Sequence, residues 1–495
     1  MSRNQSLTDK SISGLLWSFT GVGGHGILQT VITLFLARLL SPEAFGLVGA
    51  AMIVINFSQI FSTLGVSPAI VQHPNLNEKH IHAGFLISIC LSIGVGGAVF
   101  FFAPHISIFF KMDGLTNVIQ TLSLIFPIIG LSVISEALLQ KKMKFKKLAV
   151  IKIVSYVVGY GIIGINFALL EYGVWSLVFA QLGQVCIKSI TLWYFGGHTV
   201  SFNIDISSYK ELFDFGGGFS LATIGNYGAS QGDNIVVGRW LNADALGIYT
   251  IAYKMVVMPA RLFGTVVDKV LFPAMSSIQN DITKLRISYL RAIGVIAMII
   301  LPLSMILIIT APEIISFLLG DKWYEVTVPF QILSISMIFR TSYKISDTLA
   351  GAVGVVYKRA WRQWVYGILI FLFAIFGVQW GLKGVATGIA IAITVNFLLM
   401  IHLSISILRI KWTEIGRVHL RYILITMSMG ILLFGIVELL RKYHFNDLSI
   451  IIYSILFSIL FIASLIFQGK IFKYDEVQWL ISLLIKVKEK LIRLI

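Results

Sequence analysis

Ionisable side chains within long apolar segments are the residues of this sequence best suited to chemistry. Arg340, Lys344 and Asp347 recur at helical spacing, which places all three on one face of a helix. Lys254 and Asp233 lie in two other apolar segments. A charge at the centre of a membrane-spanning helix costs about 2.5–3.5 kcal/mol on insertion scales, so each of these side chains should face a cavity or a partner.

Positive charge prevails among these candidates. Arg340, Lys254 and Lys344 lie within apolar segments, and Arg38 and Arg239 lie at the ends of two more. Guanidinium and ammonium groups both bind phosphate oxygens well. These five residues therefore predict a substrate site for an anionic group such as a diphosphate, with Arg340 and Lys254 deepest.

Two aspartates supply the negative charge. Asp233 and Asp347 are predicted to carry the proton or sodium ion that drives a secondary transporter. Structural alternatives stay open for several of these residues. Lys344 and Asp347 also suit an ion pair that stabilises helix packing, and Arg38 and Arg239 suit the C-terminal ends of helices.

Glycines cluster in two corresponding apolar segments. Gly23 and Gly24 belong to the first, and Gly217 and Gly218 to the seventh. They predict a hinge in the first helix of each half of the chain. Close helix packing through small residues is the alternative.

Motifs of several enzyme classes are absent from the sequence. It contains no G-x-x-x-x-G-K-[ST] phosphate loop and no D-x-D pair, and no His or Glu cluster has metal-ligand spacing. The two cysteines, Cys90 and Cys186, lie singly within apolar segments. The expectation is therefore a protein that is not an enzyme and that uses neither a metal nor a cofactor.

Composition indicates that the bilayer is the solvent of this chain. Of its 495 residues, 57% are hydrophobic and 13% are charged, and the mean hydropathy is +0.88. Soluble proteins carry about 25% charged residues. The net charge of +16 does not indicate nucleic-acid binding, because the basic residues are spread over short loops between apolar segments.

Fourteen apolar segments are long enough to cross a membrane, and their continuous apolar character predicts an all-α integral membrane protein rather than a β-barrel. The predicted spans are 14–38, 44–65, 82–104, 116–136, 149–169, 173–195, 213–238, 244–269, 290–310, 327–352, 361–378, 382–408, 420–437 and 447–467. Lys and Arg concentrate in alternate loops, above all in 141–147. The positive-inside rule therefore predicts that both termini are cytoplasmic.

A short repeat divides the chain. Residues 37–46 (ARLLSPEAFG) return as residues 238–247 (GRWLNADALG) between the first two helices of each half. Ser41 and Asn242 are predicted to cap the following helix in each copy. The repeat predicts two parallel six-helix lobes. The predicted divisions are an N-lobe over 1–200, a C-lobe over 201–411, two additional helices within 412–468 and a basic amphipathic tail over 469–495.

The sequence resembles a known transporter family in several dispersed segments. They are residues 14–18, 36–46, 141–149 (KKMKFKKLA), 173–178, 271–276 (LFPAMS) and 319–326 (LGDKWYEV). Their order and spacing resemble the polysaccharide transporter family of Wzx-type flippases. The resemblance is to the colanic-acid-exporter-like branch within the multidrug/oligosaccharidyl-lipid/polysaccharide (MOP) superfamily. The C-terminal third and the basic tail depart from that pattern.

The resemblance implies a substrate and a mechanism. It implies an undecaprenyl-diphosphate-linked glycan as substrate, moved between the leaflets of a bacterial inner membrane by ion-coupled alternating access. A polysaccharide polymerase and export machinery are then the expected partners. A small-molecule or drug antiporter of the same superfamily is the alternative, and a membrane-embedded polysaccharide polymerase is less favoured because the loops are short.

Overall fold

The computed structural model describes residues 24–197 and 206–471 together with Gln478, and nearly all of them are helical. Gly23 and most of the tail predicted over 469–495 lie outside the described residues. The chain forms two compact units, Met1–Thr250 and Ile251–Ile495.

Long helices and short connections make up the first unit. A π-helical segment, Val157–Gly164, joins α7 to α8. The helices are α1 (Gly24–Leu39), α2 (Pro42–Thr63), α3 (Val66–Gln72), α4 (Glu78–Phe110), α5 (Leu115–Leu122), α6 (Ile125–Lys141), α7 (Phe145–Tyr156), α8 (Ile165–Leu169), α9 (Val174–Gly196) and α10 (Ile206–Trp240).

Helix α11 (Ala243–Val266) begins in the first unit and continues into the second. The remaining helices are α12 (Phe272–Ser277), α13 (Ile282–Ile309), α14 (Ala311–Leu319), α15 (Thr327–Ile335), α16 (Met337–Ala352), α17 (Val356–Gly377), α18 (Gly381–Leu408), α19 (Trp412–Lys442) and α20 (Asp447–Ile471). The π-helical segment Val267–Leu271 and the 3-10 segments Asp321–Val326 and Val378–Trp380 connect some of them.

Nine stretches of the described residues are helical, long and apolar enough to cross a membrane. A helix lies at each of the fourteen predicted spans, although only part of the first one is described. The span predicted over 327–352 is two helices, α15 and α16, separated at Ser336. The count of fourteen crossings and the two-lobe repeat stay predictions.

The two copies of the repeat begin their helices in the same way. The Ser41 hydroxyl accepts a hydrogen bond from the backbone N–H of Ala44 (3.3 Å) at the start of α2. The Asn242 amide oxygen accepts one from the backbone N–H of Ala245 (2.7 Å) at the start of α11. Each side chain satisfies a donor that would otherwise be unpaired at a helix N-terminus, which confirms both predicted caps.

Glycines bring helix backbones into close contact within each unit. In the α17–α18 hairpin, a Cβ atom on Gly384 would lie 2.1 Å from the carbonyl oxygen of Gly377. In the first unit, a Cβ atom on Gly46 would lie 1.7 Å from the carbonyl oxygen of Ala243. Helices in membranes associate through such small-residue contacts because lipid supplies no hydrophobic drive between them.

Candidate functional site

Helix α16 brings together the charged residues that the sequence singles out. It begins after the break at Ser336, and its Arg340, Lys344 and Asp347 share a face, as their spacing predicts. The Lys344 ammonium lies 3.5 Å from an Asp347 carboxylate oxygen. The predicted constellation on this helix is therefore confirmed as a geometry, and its role as a binding site stays a prediction.

Arg340 is held by tyrosines rather than by acids. Its Nη1 donates a hydrogen bond to the Tyr253 hydroxyl (2.9 Å), and its guanidinium carbon lies 4.9 Å from the centre of that ring. Tyr343 and Tyr366 are also close enough to interact with it electrostatically. Within the described residues Arg340 forms no ion pair, and its guanidinium contacts the hydroxyl and the ring face of Tyr253.

Asp347 forms a clamp with cations from two helices. Both of its oxygens accept hydrogen bonds from Arg359 at the start of α17, one from Nε and one from Nη2 (2.9 Å). Gln363 adds an amide contact at 3.5 Å. The Asp347 side chain is 7% exposed, so this is a largely buried, bidentate pair with Lys344 as a third member. The ion pair between Lys344 and Asp347 that the sequence suggests is therefore present. Arg359 is the closer of the two cations to Asp347.

Lys254 lies on α11 next to Tyr253, the residue that contacts Arg340. It is exposed, as is Arg261 two turns further along the same helix. The two charges are close enough to repel one another. Helix α11 therefore presents two cations of its own.

The second unit thus has more positive than negative charge around α16. Among the described side chains discussed above, the cations are Lys254, Arg261, Arg340, Lys344 and Arg359, and the acid that pairs with two of them is Asp347. In a low-dielectric setting such an excess is unfavourable unless an anion neutralises it. Guanidinium forks and ammonium groups together suit the oxygens of a diphosphate.

Asp233 lies in the first unit, in α10, and is 2% exposed. One of its carboxylate oxygens accepts a hydrogen bond from the Tyr249 hydroxyl (2.8 Å), and the other accepts one from the Asn234 backbone N–H (2.9 Å). These partners are neutral donors from its own helix and from α11. The arrangement suits a buried carboxyl group that can exchange its proton for another cation.

The other predicted residues also belong to the first unit. Arg38 is exposed near the end of α1. The Arg239 guanidinium lies over the rings of Phe109 (5.3 Å) and Trp240 (5.7 Å), which is typical of a residue at the end of a membrane helix.

The glycine candidates lie in regular helix where the structure describes them. Gly24 begins α1, and a Cβ atom there would meet nothing within 4 Å. Gly217 and Gly218 lie in the uninterrupted helix α10. The hinge stays a prediction, and Gly23 is outside the described residues.

Sequence reasoning missed the residues that complete the site. Tyr253 and Tyr366 are uncharged, and Arg359 resembles an ordinary basic residue of a short loop. One signal in the sequence is that Lys358, Arg359 and Arg362 lie close to the start of a predicted span. Basic residues at that position indicate membrane orientation, and they can also pair with an acid inside the membrane.

Comparison with known proteins shows which proteins the chain resembles. A family model described as "Polysaccharide biosynthesis protein" matches residues 35–329. The lipopolysaccharide biosynthesis protein WzxC of Escherichia coli (strain K12) is 26% identical over 345 residues, which is 68% of this chain and 68% of that protein. The teichuronic acid biosynthesis protein TuaB of Bacillus subtilis (strain 168) is 26% identical over 450 residues, covering 89% of this chain and 91% of that protein.

A solved structure shows the same fold. The lipid II flippase MurJ, in an inward closed conformation, superimposes with a TM-score of 0.74 at 16% sequence identity. The match covers 93% of this chain and 99% of that chain. Apolar helices and these relatives together establish a multi-pass membrane protein.

Proposed function

The chain belongs to the polysaccharide biosynthesis protein family, and from that premise we propose that it is a flippase for an undecaprenyl-diphosphate-linked glycan. It moves the repeat unit from the inner to the outer leaflet of the bacterial cytoplasmic membrane. The proposed topology has fourteen spans, two six-helix lobes and both termini in the cytoplasm. A polysaccharide polymerase and export machinery receive the product.

The observation that carries this proposal is the set of neighbours around the Arg340 guanidinium. Its charge has a tyrosine hydroxyl and an aromatic ring as neighbours, while Asp347, the acid on the same helix, is occupied by Arg359 and Lys344. A diphosphate brings the negative charge that this site lacks. In the proposal Arg340, Lys344 and Lys254 contact the phosphates, and the lipid chain remains in the bilayer.

Conformational change is proposed to centre on the two copies of the repeat. A Cβ atom on Gly46 would meet the Ala243 carbonyl oxygen at 1.7 Å, and one on Gly247 would meet the Pro42 carbonyl oxygen at 1.9 Å. Pro42 and Ala243 occupy equivalent repeat positions, as do Gly46 and Gly247, so the contact is reciprocal. A close, symmetric backbone contact between α2 and α11 suits a pivot for alternating access.

Ion coupling is proposed to use Asp233. Its neutral partners, Tyr249 and Asn234, remain good donors whether the carboxylate binds a proton or a sodium ion. Asp347, which the sequence suggested equally, would first have to release Arg359.

The direct test of the site is binding of undecaprenyl diphosphate by the purified chain. The wild type should bind it, and Arg340→Ala should weaken binding at least tenfold, because a charge-assisted phosphate contact contributes about 1.5–3 kcal/mol. Arg417, an exposed arginine on α19, supplies the control Arg417→Ala, which should bind as the wild type does. Equal binding by all three proteins would remove Arg340 from the substrate site.

A drug antiporter with the same fold is the competing function. It predicts that cells expressing this chain resist cationic drugs and that the Arg340 variant loses this resistance. The excess of positive charge around α16 opposes cationic substrates, so no such resistance is expected.

A further inference from the structure

Three side chains of types that can ligate a metal meet in the first unit. His73 follows the end of α3, His80 lies in the first turn of α4, and Glu211 lies near the start of α10. The Nε2 atoms of both histidines lie 3.2 Å from the same carboxylate oxygen of Glu211. One ligand atom from each residue fits within 4.8 Å of the other two.

We propose that His73, His80 and Glu211 bind a divalent transition-metal ion, with Zn²⁺ as the expected occupant. Two imidazoles and one carboxylate are ligands that Zn²⁺ accepts, at about 2.0–2.1 Å from the metal. Ligand atoms of a tetrahedron of that size are about 3.3 Å apart. The two 3.2 Å separations already have that value, so little rearrangement is needed to admit the ion.

The hydrogen bonds of His80 fix the ring in the form that ligates metals. Its Nδ1 lies 2.6 Å from the Asn77 amide oxygen, which also accepts the backbone N–H of His80 (3.1 Å) and is therefore identified as the oxygen. An oxygen cannot donate, so Nδ1 carries the proton. In the neutral ring Nε2 then directs its lone pair at a carboxylate oxygen of Glu211.

Two lone pairs at 3.2 Å repel unless a cation lies between them. A metal ion bound by both atoms removes the repulsion, and Asn77 then plays the orienting part that outer hydrogen bonds play for metal-ligating histidines. A proton on Nε2 of His80 would remove the same repulsion without a metal, and this is the alternative explanation of the cluster.

The protein around the site holds the ligands and leaves an opening. The Lys141 ammonium donates hydrogen bonds to the carbonyl oxygens of Ile70 (3.2 Å) and His73 (2.5 Å), which fixes the end of α3. The His73 and His80 rings lie with centroids 4.2 Å apart and are 20% and 9% exposed. Glu211 is 51% exposed, so an ion has a solvent route in and water can occupy a fourth position.

The test uses the full-length protein, purified in detergent and stripped with a chelator. Zn²⁺ is then added in competition with a chromophoric chelator, and the bound metal is measured by mass spectrometry. We expect one Zn²⁺ per chain and a higher unfolding temperature, because an ion that binds only the folded state stabilises it. His80→Ala and Glu211→Gln should lose this binding, and Asn77→Ala should weaken it about 10–100-fold.

His105 supplies the matched control, because it is an exposed histidine at the other end of α4. His105→Ala should bind Zn²⁺ as the wild type does. Co²⁺ gives a test that needs no variant, since three protein ligands and a water predict intense tetrahedral absorption bands in the visible range. Weak octahedral bands, or no Co²⁺ uptake, would overturn the proposal.

Two further results would also overturn it. Equal Zn²⁺ binding by the wild type and Glu211→Gln would show adventitious ions only. The second result is that the wild type takes up no Zn²⁺ while Glu211→Gln still lowers the unfolding temperature. The cluster would then be an ion pair between a protonated histidine and the glutamate. Neither result bears on the flippase proposal, whose substrate site rests on Arg340, Lys344 and Lys254.

Discussion

Gly46→Ala is expected to destabilise the contact between α2 and the start of α11. The new methyl carbon would lie 1.7 Å from the Ala243 carbonyl oxygen, whereas real Cβ contacts are not found below 3.0 Å. The two backbones must therefore separate by about 1.3 Å, the difference between those distances. Both atoms belong to helical backbone near a capped terminus, so no flexible side chain can absorb the shift.

The size of the effect follows from two opposing contributions. Overpacking of this kind costs about 1–3 kcal/mol, and the upper part of the range applies because backbone must move. Alanine is favoured over glycine within a helix by about 1 kcal/mol. The net loss of stability is therefore expected to be about 1–2 kcal/mol, measured as thermal unfolding of the purified protein in detergent.

Gly49 supplies the matched control one turn further along α2. A Cβ atom there would lie 3.7 Å from a methyl group of Leu246, which is an ordinary contact. Gly49→Ala should thus leave stability unchanged or raise it by up to about 1 kcal/mol through helix propensity alone.

The reciprocal contact adds a second, independent expectation. Gly247→Ala should cost as much as Gly46→Ala, since its Cβ atom would lie 1.9 Å from the Pro42 carbonyl oxygen. The double variant should cost clearly less than both together, because a separation forced by one methyl group makes room for the other. Gly46→Ala with wild-type stability, or strict additivity of the pair, would refute this reasoning.

Two further predictions concern the caps and the Asp347 clamp. Asn242→Ala should lower the free energy of unfolding by about 1 kcal/mol and Ser41→Ala by less, because the Asn242 hydrogen bond is the shorter one. Thermal unfolding measures both losses, and equal losses would contradict this expectation. Asp347→Asn should lower the free energy of unfolding by about 1–3 kcal/mol, since it leaves Arg359 without its charged partner. Adding Arg359→Gln to that variant should recover part of the loss. The ion dependence of transport should survive Asp347→Asn; its disappearance would return Asp347 to the coupling site.

The sequence was most informative where interactions are local. The caps at Ser41 and Asn242 depend on residues within one helical turn, so residue type and position predict them. The alignment of Arg340, Lys344 and Asp347 follows from helical periodicity in the same way. Long apolar segments likewise predict helices, because a backbone in lipid must satisfy its own hydrogen bonds.

Contacts between distant residues were not predictable in this way. The break at Ser336 lies within an apolar segment that carries no proline or glycine signal at that point. His73 and Glu211 are 138 residues apart in sequence, so only the fold brings them together. The spacing of histidines and acids along the sequence gave no indication of a metal site. The packing of α3, α4 and α10 brings the three candidate ligands together.

Reconstitution of the purified chain alone into liposomes tests the central claim most directly. Lipid-linked oligosaccharide in the outer leaflet is followed with an impermeant glycosidase, with an ion gradient imposed and no ATP present. The flippase account predicts protein-dependent protection or exposure of the glycan that Arg340→Ala abolishes and Arg417→Ala leaves intact. Identical kinetics with and without the protein, in liposomes shown to contain folded chain and substrate, would contradict it.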